Sequence, residues 1–215
     1  MKLTLKEPGS AITHFVAAIA VIIAAIPLIV KAAGPGNWVS ITSLIIFAAS
    51  MGLLYLCSTI YHSLDINEKI NRRLRKLDHM MIFVMIAGSY TPVCMIALER
   101  KTGIMLCTAV WIIAVVGILV KALWINCPKR FSSIIYIGMG WVCIFAMPQI
   151  YHALTSAQFG WLLAGGIIYT IGGIIYALKL PIFDANHKNF GSHEIFHLFV
   201  MGGSACHFVT MFLLI

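Results

Sequence analysis

Acidic residues are scarce here: seven Asp and Glu in 215 residues, with charge of either sign on only 10% of positions. A soluble domain carries about 25% charge. Too few solubilising groups remain to cover a water-facing surface, which excludes a soluble enzyme, a nucleic-acid binder and a disordered chain together. Cysteines are few and never spaced as CxxC; Cys57, Cys94, Cys107, Cys127, Cys143 and Cys206 lie in or beside apolar runs. A disulfide framework or a thiolate metal site is therefore not expected. The last apolar run, Ile195 to Ile215, has no lysine, which excludes a retinal Schiff base. His207 lacks an evident histidine partner for a transmembrane haem pair, and every carboxylate is expected at or beyond a helix end, unlike the mid-membrane carboxylates of ion pumps.

What is abundant is apolar surface. Hydrophobic residues make up 61% of the chain and mean hydropathy is +0.97, so the expected solvent is a bilayer. A crossing helix needs roughly 17–25 apolar residues. Charge-free stretches, broken at Gly34-Pro35-Gly36-Asn37 and again between Pro148 and Gln158, predict seven spans near 12–33, 38–62, 79–98, 103–124, 132–150, 159–179 and 194–214. The fold expected is an all-α integral membrane protein, one seven-transmembrane-helix bundle over residues 1–215. Lys2 and Lys6 before an apolar run mimic a secretory signal, but the run is longer than a signal's 7–15 residues, so it reads as a retained first helix.

The fifteen cations are lopsided. Lys2, Lys6, Lys69, Arg72, Arg73, Arg75, Lys76, Lys121, Lys129, Arg130, Lys179 and Lys188 fall on one side, against Lys31, Arg100 and Lys101 on the other. The bias predicts a cytoplasmic N-terminus and an external C-terminus. Trp38, Trp124 and Trp161 suit interfacial anchors. The run from Lys69 to Lys76, with Asp65 before it, reads as a loop and topology signal that also suits anionic lipid. Pairs such as Gly165-Gly166, Gly172-Gly173 and Gly202-Gly203 suit close helix approach, and Pro92 a kink in the third span.

Polar groups at helix depth are costly and so mark candidate sites. Ser58 and His62 are one helical turn apart, as are His193 and His197, and Asp78 with His79 opens the third predicted span. Ser58, His62, Asp78, His193 and His197 all fall at the same, basic end. Eight histidines in this length give a chance i,i+4 pair about 0.3 times, so the shared depth carries more weight than the spacing. His62, His193 and His197 form the set that Zn²⁺ accepts in open catalytic sites. Imidazole also suits Fe, Ni and Cu, and histidines that only hydrogen-bond at a wet interface are the plainer alternative. Asp78 is the candidate carboxylate beside the cation, or a first-turn residue offsetting the helix dipole; Ser58 is a candidate donor, or bonds its own helix. Glu194 reads as dipole compensation. His14 borders the site or packs. His79 supports Asp78 or packs, His207 makes a structural hydrogen bond, and His152 and His187 sit solvated in loops.

These residues resemble the haemolysin III family and its relatives among the progestin and adipoQ receptors. The resemblance rests on Ser58-x-x-x-His62, Asp78 and His193-x-x-x-His197. It also rests on the strings Ser58-Thr59-Ile60-Tyr61-His62, Ala87-Gly88-Ser89-Tyr90-Thr91-Pro92, Gly140-Trp141 and Gly202-Gly203-Ser204-Ala205-Cys206-His207-Phe208. It implies seven spans in a bacterial cytoplasmic membrane and a zinc ion on His62, His193 and His197, with Asp78 reaching it through water and Ser58 nearby. The wider superfamily includes alkaline ceramidases, which hydrolyse a lipid amide with such a set. The sequence lacks the receptors' long N-terminal region, which sets hormone signalling aside as an expectation. Three functions follow as expectations. One is a zinc-dependent hydrolase of a lipid amide or ester that enters between helices, with Asp78 and Ser58 catalytic; another is a zinc-stapled sensor or regulator of membrane lipid or energy homeostasis; the third is a pore-forming cytolysin. Membrane lipids are the expected partners, nucleic acid is not, and the oligomeric state is left open.

Overall fold

A computed structural model describes residues 5–34, 37–124, 126, 128–178 and 191–215. Lys2, Pro35, Gly36, Cys127, Lys179, His187 and Lys188 lie outside the described residues, as does most of the loop expected after Pro181. The described chain is helical: α1 Pro8–Ala33, α2 Trp38–Ser63, α3 Glu68–Pro92, α4 Arg100–Leu123, α5 Lys129–Gly140, α6 Met147–Ala153, α7 Ser156–Leu178 and α8 Ser192–Leu214. Among the described residues seven helical segments are long and apolar enough to cross a membrane, the fifth combining α5 and α6. Consecutive helices pack side by side from α1 to α4. Beyond them α5 packs on α7, α7 on α8, and α8 returns to α1.

α1 illustrates the two-sided pattern that lipid imposes. Ala11, His14, Ala18, Val21, Leu28 and Ala32 are buried at steps of three, four or seven residues, one face of the helix, a stripe of mostly small side chains that admits close neighbours. Ile12, Phe15, Ile19, Ile22, Ile23 and Ile26 face outward. In water that face would be a large liability; in a bilayer it is the solvated surface.

Helix ends extend beyond the charge-free stretches. α3 begins at Glu68, not near residue 79, so the expected loop from Asp65 to Lys76 is mostly helix. Glu, Lys, Arg and Leu are good helix formers, Asn67 caps the end by accepting from the Ile70 N–H at 2.9 Å, and Glu68 takes the first-turn position. Asp78 therefore lies about three turns inside α3. Its reading as a first-turn dipole residue is overturned, and so is the expectation that every carboxylate lies at or beyond a helix end. Lys76 turns across to donate to the Ala122 carbonyl at 2.5 Å, satisfying an orphan acceptor at the α4 C-terminus.

At Pro92, which has no N–H for the helical ladder, α3 passes into a π turn, Val93–Ala97. The fifth span breaks where no charge warned of it: a 3₁₀ stretch, Val142–Ala146, separates α5 from α6. Freed backbone groups in a membrane need internal partners. Tyr90 supplies them, its hydroxyl donating to the Gly140 carbonyl at 2.5 Å and accepting from the Cys143 N–H at 3.0 Å. Cys57, Cys94, Cys107, Cys143 and Cys206 are unpaired thiols. His152 lies in the last turn of α6 rather than in a loop, and is exposed as expected.

Candidate metal centre

α2 and α8 each present their one-turn pair towards the bundle axis at the basic end. One nitrogen from each of His62, His193 and His197 lies within 4.8 Å of the others, and the Nε2 atoms of His62 and His193 are 3.4 Å apart. His62 and His197 are each 2% exposed. Facing imidazole nitrogens at that separation repel unless a proton or a cation lies between them. Three convergent imidazoles fit a zinc-type donor set.

The first turns of α1, expected as part of a retained first helix with His14 bordering the site or packing, complete the arrangement. Glu7 forms a short hydrogen bond with Nδ1 of His62, and its N–H donates to the His62 carbonyl at 2.9 Å. Thr13 gives its proton to the Gly9 or Ser10 carbonyl, so its oxygen receives Nδ1–H of His197 at 3.3 Å. Both contacts assign Nδ1 as the protonated nitrogen and leave Nε2 bare, the tautomer a metal needs. Ser10 donates to Glu194 at 2.5 Å, whose other oxygen accepts from the Gly191 N–H at 2.8 Å and caps α8. His14 stacks on His197, ring centres 3.6 Å apart; neither of its ring nitrogens has a hydrogen-bond partner among the described residues. A signal was present: Glu7, Ser10 and His14 recur at helical spacing, one of them a rare acid. His62 hydrogen-bonding holds the Glu7 carboxyl below its ordinary value of 4.5, against the opposing effect of burial.

Asp78 and Ser58 reach the same place. Both line a cavity of about 140 Å³, together with His14, His79, His193 and His197. Ser58 is buried and neighbours the Asp78 carboxylate, whereas the bond to its own helix is made by the next residue, Thr59, to the Tyr55 carbonyl. Nδ1 of His79 is 2.9 Å from the Arg75 carbonyl and 3.3 Å from Asp78 Oδ2, so His79 does support the carboxylate. The cavity walls are otherwise largely apolar, Leu54, Ile82, Met85 and Val200 among them.

His207 departs from expectation. It lines the same cavity far from the cluster and has no structural hydrogen bond: neither ring nitrogen has a partner among the described residues. The glycines fit here as well. A Cβ on Gly165 would lie 2.2 Å from the His207 ring, and one on Gly203 2.7 Å from the Tyr169 ring. One member of each of these two pairs thus clears space for an aromatic ring rather than merely for a helix backbone.

Fold and site together define a heptahelical membrane protein with a buried histidine cluster opening on an apolar internal cavity. The model of the family described as haemolysin-III related matches residues 3–208. The chain belongs to that family and is a multi-pass cell-membrane protein. It is 39% identical over 204 residues to Hemolysin-3 of Bacillus cereus, covering 94% of this chain and 89% of that protein. It is 40% identical over 206 residues to the Hemolysin-3 homolog of Bacillus subtilis strain 168, covering 95% and 92%. The Adiponectin receptor protein of Drosophila melanogaster is 26% identical over 225 residues, which cover 94% of this chain and 49% of the receptor.

Proposed function

We propose that the protein is a zinc-dependent intramembrane hydrolase of a lipid amide or ester. The observation that carries this reading is a buried Asp78–Ser58 pair and a three-imidazole cluster meeting at a largely apolar cavity. Zinc on His62, His193 and His197 would supply a Lewis acid for the carbonyl and a more acidic water. The apolar walls hold the acyl chain. Asp78 takes the proton of the attacking water, and Ser58 donates to the oxygen that gains negative charge as the water adds. The C–N or C–O bond then breaks, and Asp78 returns the proton to the departing amine or alcohol.

The test is zinc content and turnover of a lipid amide and ester panel by purified protein in nanodiscs. His62→Ala and His197→Ala are expected to lose the metal, and Asp78→Asn to keep it while turnover falls at least about 100-fold. Equal zinc in wild type and both alanine variants overturns the metal site, and zinc-replete protein that hydrolyses nothing overturns the hydrolase.

A second reading has its own support. The cluster joins α2 to α8, with α1 tied to both, so a metal there would staple segments distant in sequence, as a non-enzymatic regulator of membrane state requires. On that reading Asp78→Asn retains both metal and function. Lysis, the property printed in the name of the Bacillus cereus relative, is a third outcome, read as dye release from liposomes holding the protein.

A further inference from the structure

The polar groups around His207 are already engaged. Tyr90 donates to Gly140 and Trp141 to Thr170 at 2.9 Å. Ser89 donates to the Ile86 carbonyl at 2.8 Å. The hydroxyls of Tyr55 and Tyr169 both meet Ser204 Oγ, at 2.6 and 2.8 Å. His207 is the exception at this depth. Its ring is pinned edge-on against Tyr169, with centres 5.2 Å apart, in the space that Gly165 leaves open. The Leu162 carbonyl is nearby but does not meet hydrogen-bond geometry. A buried neutral imidazole offers one donor and one acceptor, and leaving both unmet is a standing penalty that native structures rarely tolerate without a partner.

The ring lies where two cavities meet. Ser89, Tyr90, Gly140, Trp141, Gly166 and His207 line both the cavity that begins at the histidine cluster and a second one of about 70 Å³ beyond it. The nearby hydroxyls and the Trp141 indole already make hydrogen bonds within the protein, and none of them meets the His207 nitrogens. The missing partner is better supplied by something that fills the apolar passage. His207 follows His197 by ten residues on α8, a rise of about 15 Å, which is roughly the reach of a dozen extended methylenes.

We infer that His207 is a second ligand-binding group, which hydrogen-bonds a hydroxyl or carbonyl oxygen carried near the twelfth carbon of a long acyl chain whose head lies at the histidine cluster. This rests on the proposed function only in placing an acyl chain in the cavity. A hydroxyl satisfies either ring nitrogen and a ketone only the N–H, so the two oxygen functions can be told apart.

The experiment is competition binding to the protein in nanodiscs, using octadecanoic, 12-hydroxyoctadecanoic and 12-oxooctadecanoic acids. The wild type is expected to bind one or both oxygenated chains about tenfold more tightly than the plain chain, the scale of one net buried hydrogen bond. His207→Phe is expected to bind all three alike. Equal affinities on wild type overturn the inference without any variant, so a misfolded His207→Phe does not shelter it. A preference that persists in a folded, zinc-replete His207→Phe also overturns it. Absence of binding by every chain overturns this inference, while turnover of the lipid panel decides the proposed function separately. Selective binding without turnover of the matching amides and esters supports the inference and overturns the hydrolase alone.

Discussion

The two ends of one cavity treat the same side chain in opposite ways. At the basic end His62 and His197 are anchored from behind by Glu7 and Thr13, with Nδ1 engaged and Nε2 turned to its neighbours. Ten residues along α8, the ring nitrogens of His207 are buried as well, and neither has a hydrogen bond among the described residues. An imidazole with a fixed tautomer and convergent neighbours is prepared for a cation. One with both nitrogens open is prepared for a neutral group. The contrast comes from α1, whose first two turns supply the anchoring groups at one end, whereas its Ala17, Ala18, Val21 and Leu28 supply only packing further along.

The change that should do most to erase this difference is Glu7→Gln. Partners that orient a metal-bound histidine from behind change affinity by about 10–100-fold when lost. Zinc competition with a chelator is expected to show a loss in that range, while octadecanoic acid binding at the His207 end stays put. Wild-type zinc affinity in Glu7→Gln would make the anchoring incidental. The same pair sets an acid limit. Because the Glu7 carboxyl is held below 4.5 in the folded protein, its contribution to stability is complete above that pH and is lost as pH falls through the lower folded value. In metal-free protein, the melting-temperature gap between wild type and Glu7→Gln should therefore be present at neutral pH and close below pH 4.5.

Hydropathy located the spans because a bilayer selects directly for apolar length. It was blind to helix that continues into water, which is why α3 gained the segment from Glu68 to Asp78 and why Asp78 moved from a helix start to its interior. The cluster of His62, His193 and His197 was legible because two one-turn pairs at equal depth constrain each other. Glu7 and Thr13 were not: their roles depend on α8 returning to α1, a pairing that local spacing does not encode. The break at Val142–Ala146 was hidden for a similar reason, since the hydroxyl that makes it tolerable belongs to Tyr90 on another helix.

At the other end of the comparison, adjacent glycines should part company. Gly165→Ala places a methyl 2.2 Å from the His207 ring, and overpacking of this kind destabilises by about 1–3 kcal/mol. Gly166→Ala meets nothing within 4 Å and should be neutral or slightly stabilising, as alanine is the better helix former. Thermal melts in nanodiscs decide it: equal losses would mean that backbone approach, not accommodation of the ring, is what both glycines provide.

The smallest effect expected is also the most discriminating for the anchored end. Thr13→Val keeps the shape of the side chain and removes the oxygen that receives Nδ1–H of His197. That contact is long, 3.3 Å, and joins neutral groups, whereas Glu7 brings an ionised acceptor to His62, and charge-assisted bonds are about twice as strong. A neutral bond contributes about 0.5–1.5 kcal/mol net, and at this length the lower figure applies, so zinc affinity should fall only about twofold. His197 is held additionally by the stacked ring of His14, which limits how far it can turn once the threonine oxygen is gone. A tenfold loss in Thr13→Val would reverse that ranking and make the neutral contact, not the carboxylate, the principal device by which α1 presets the cluster.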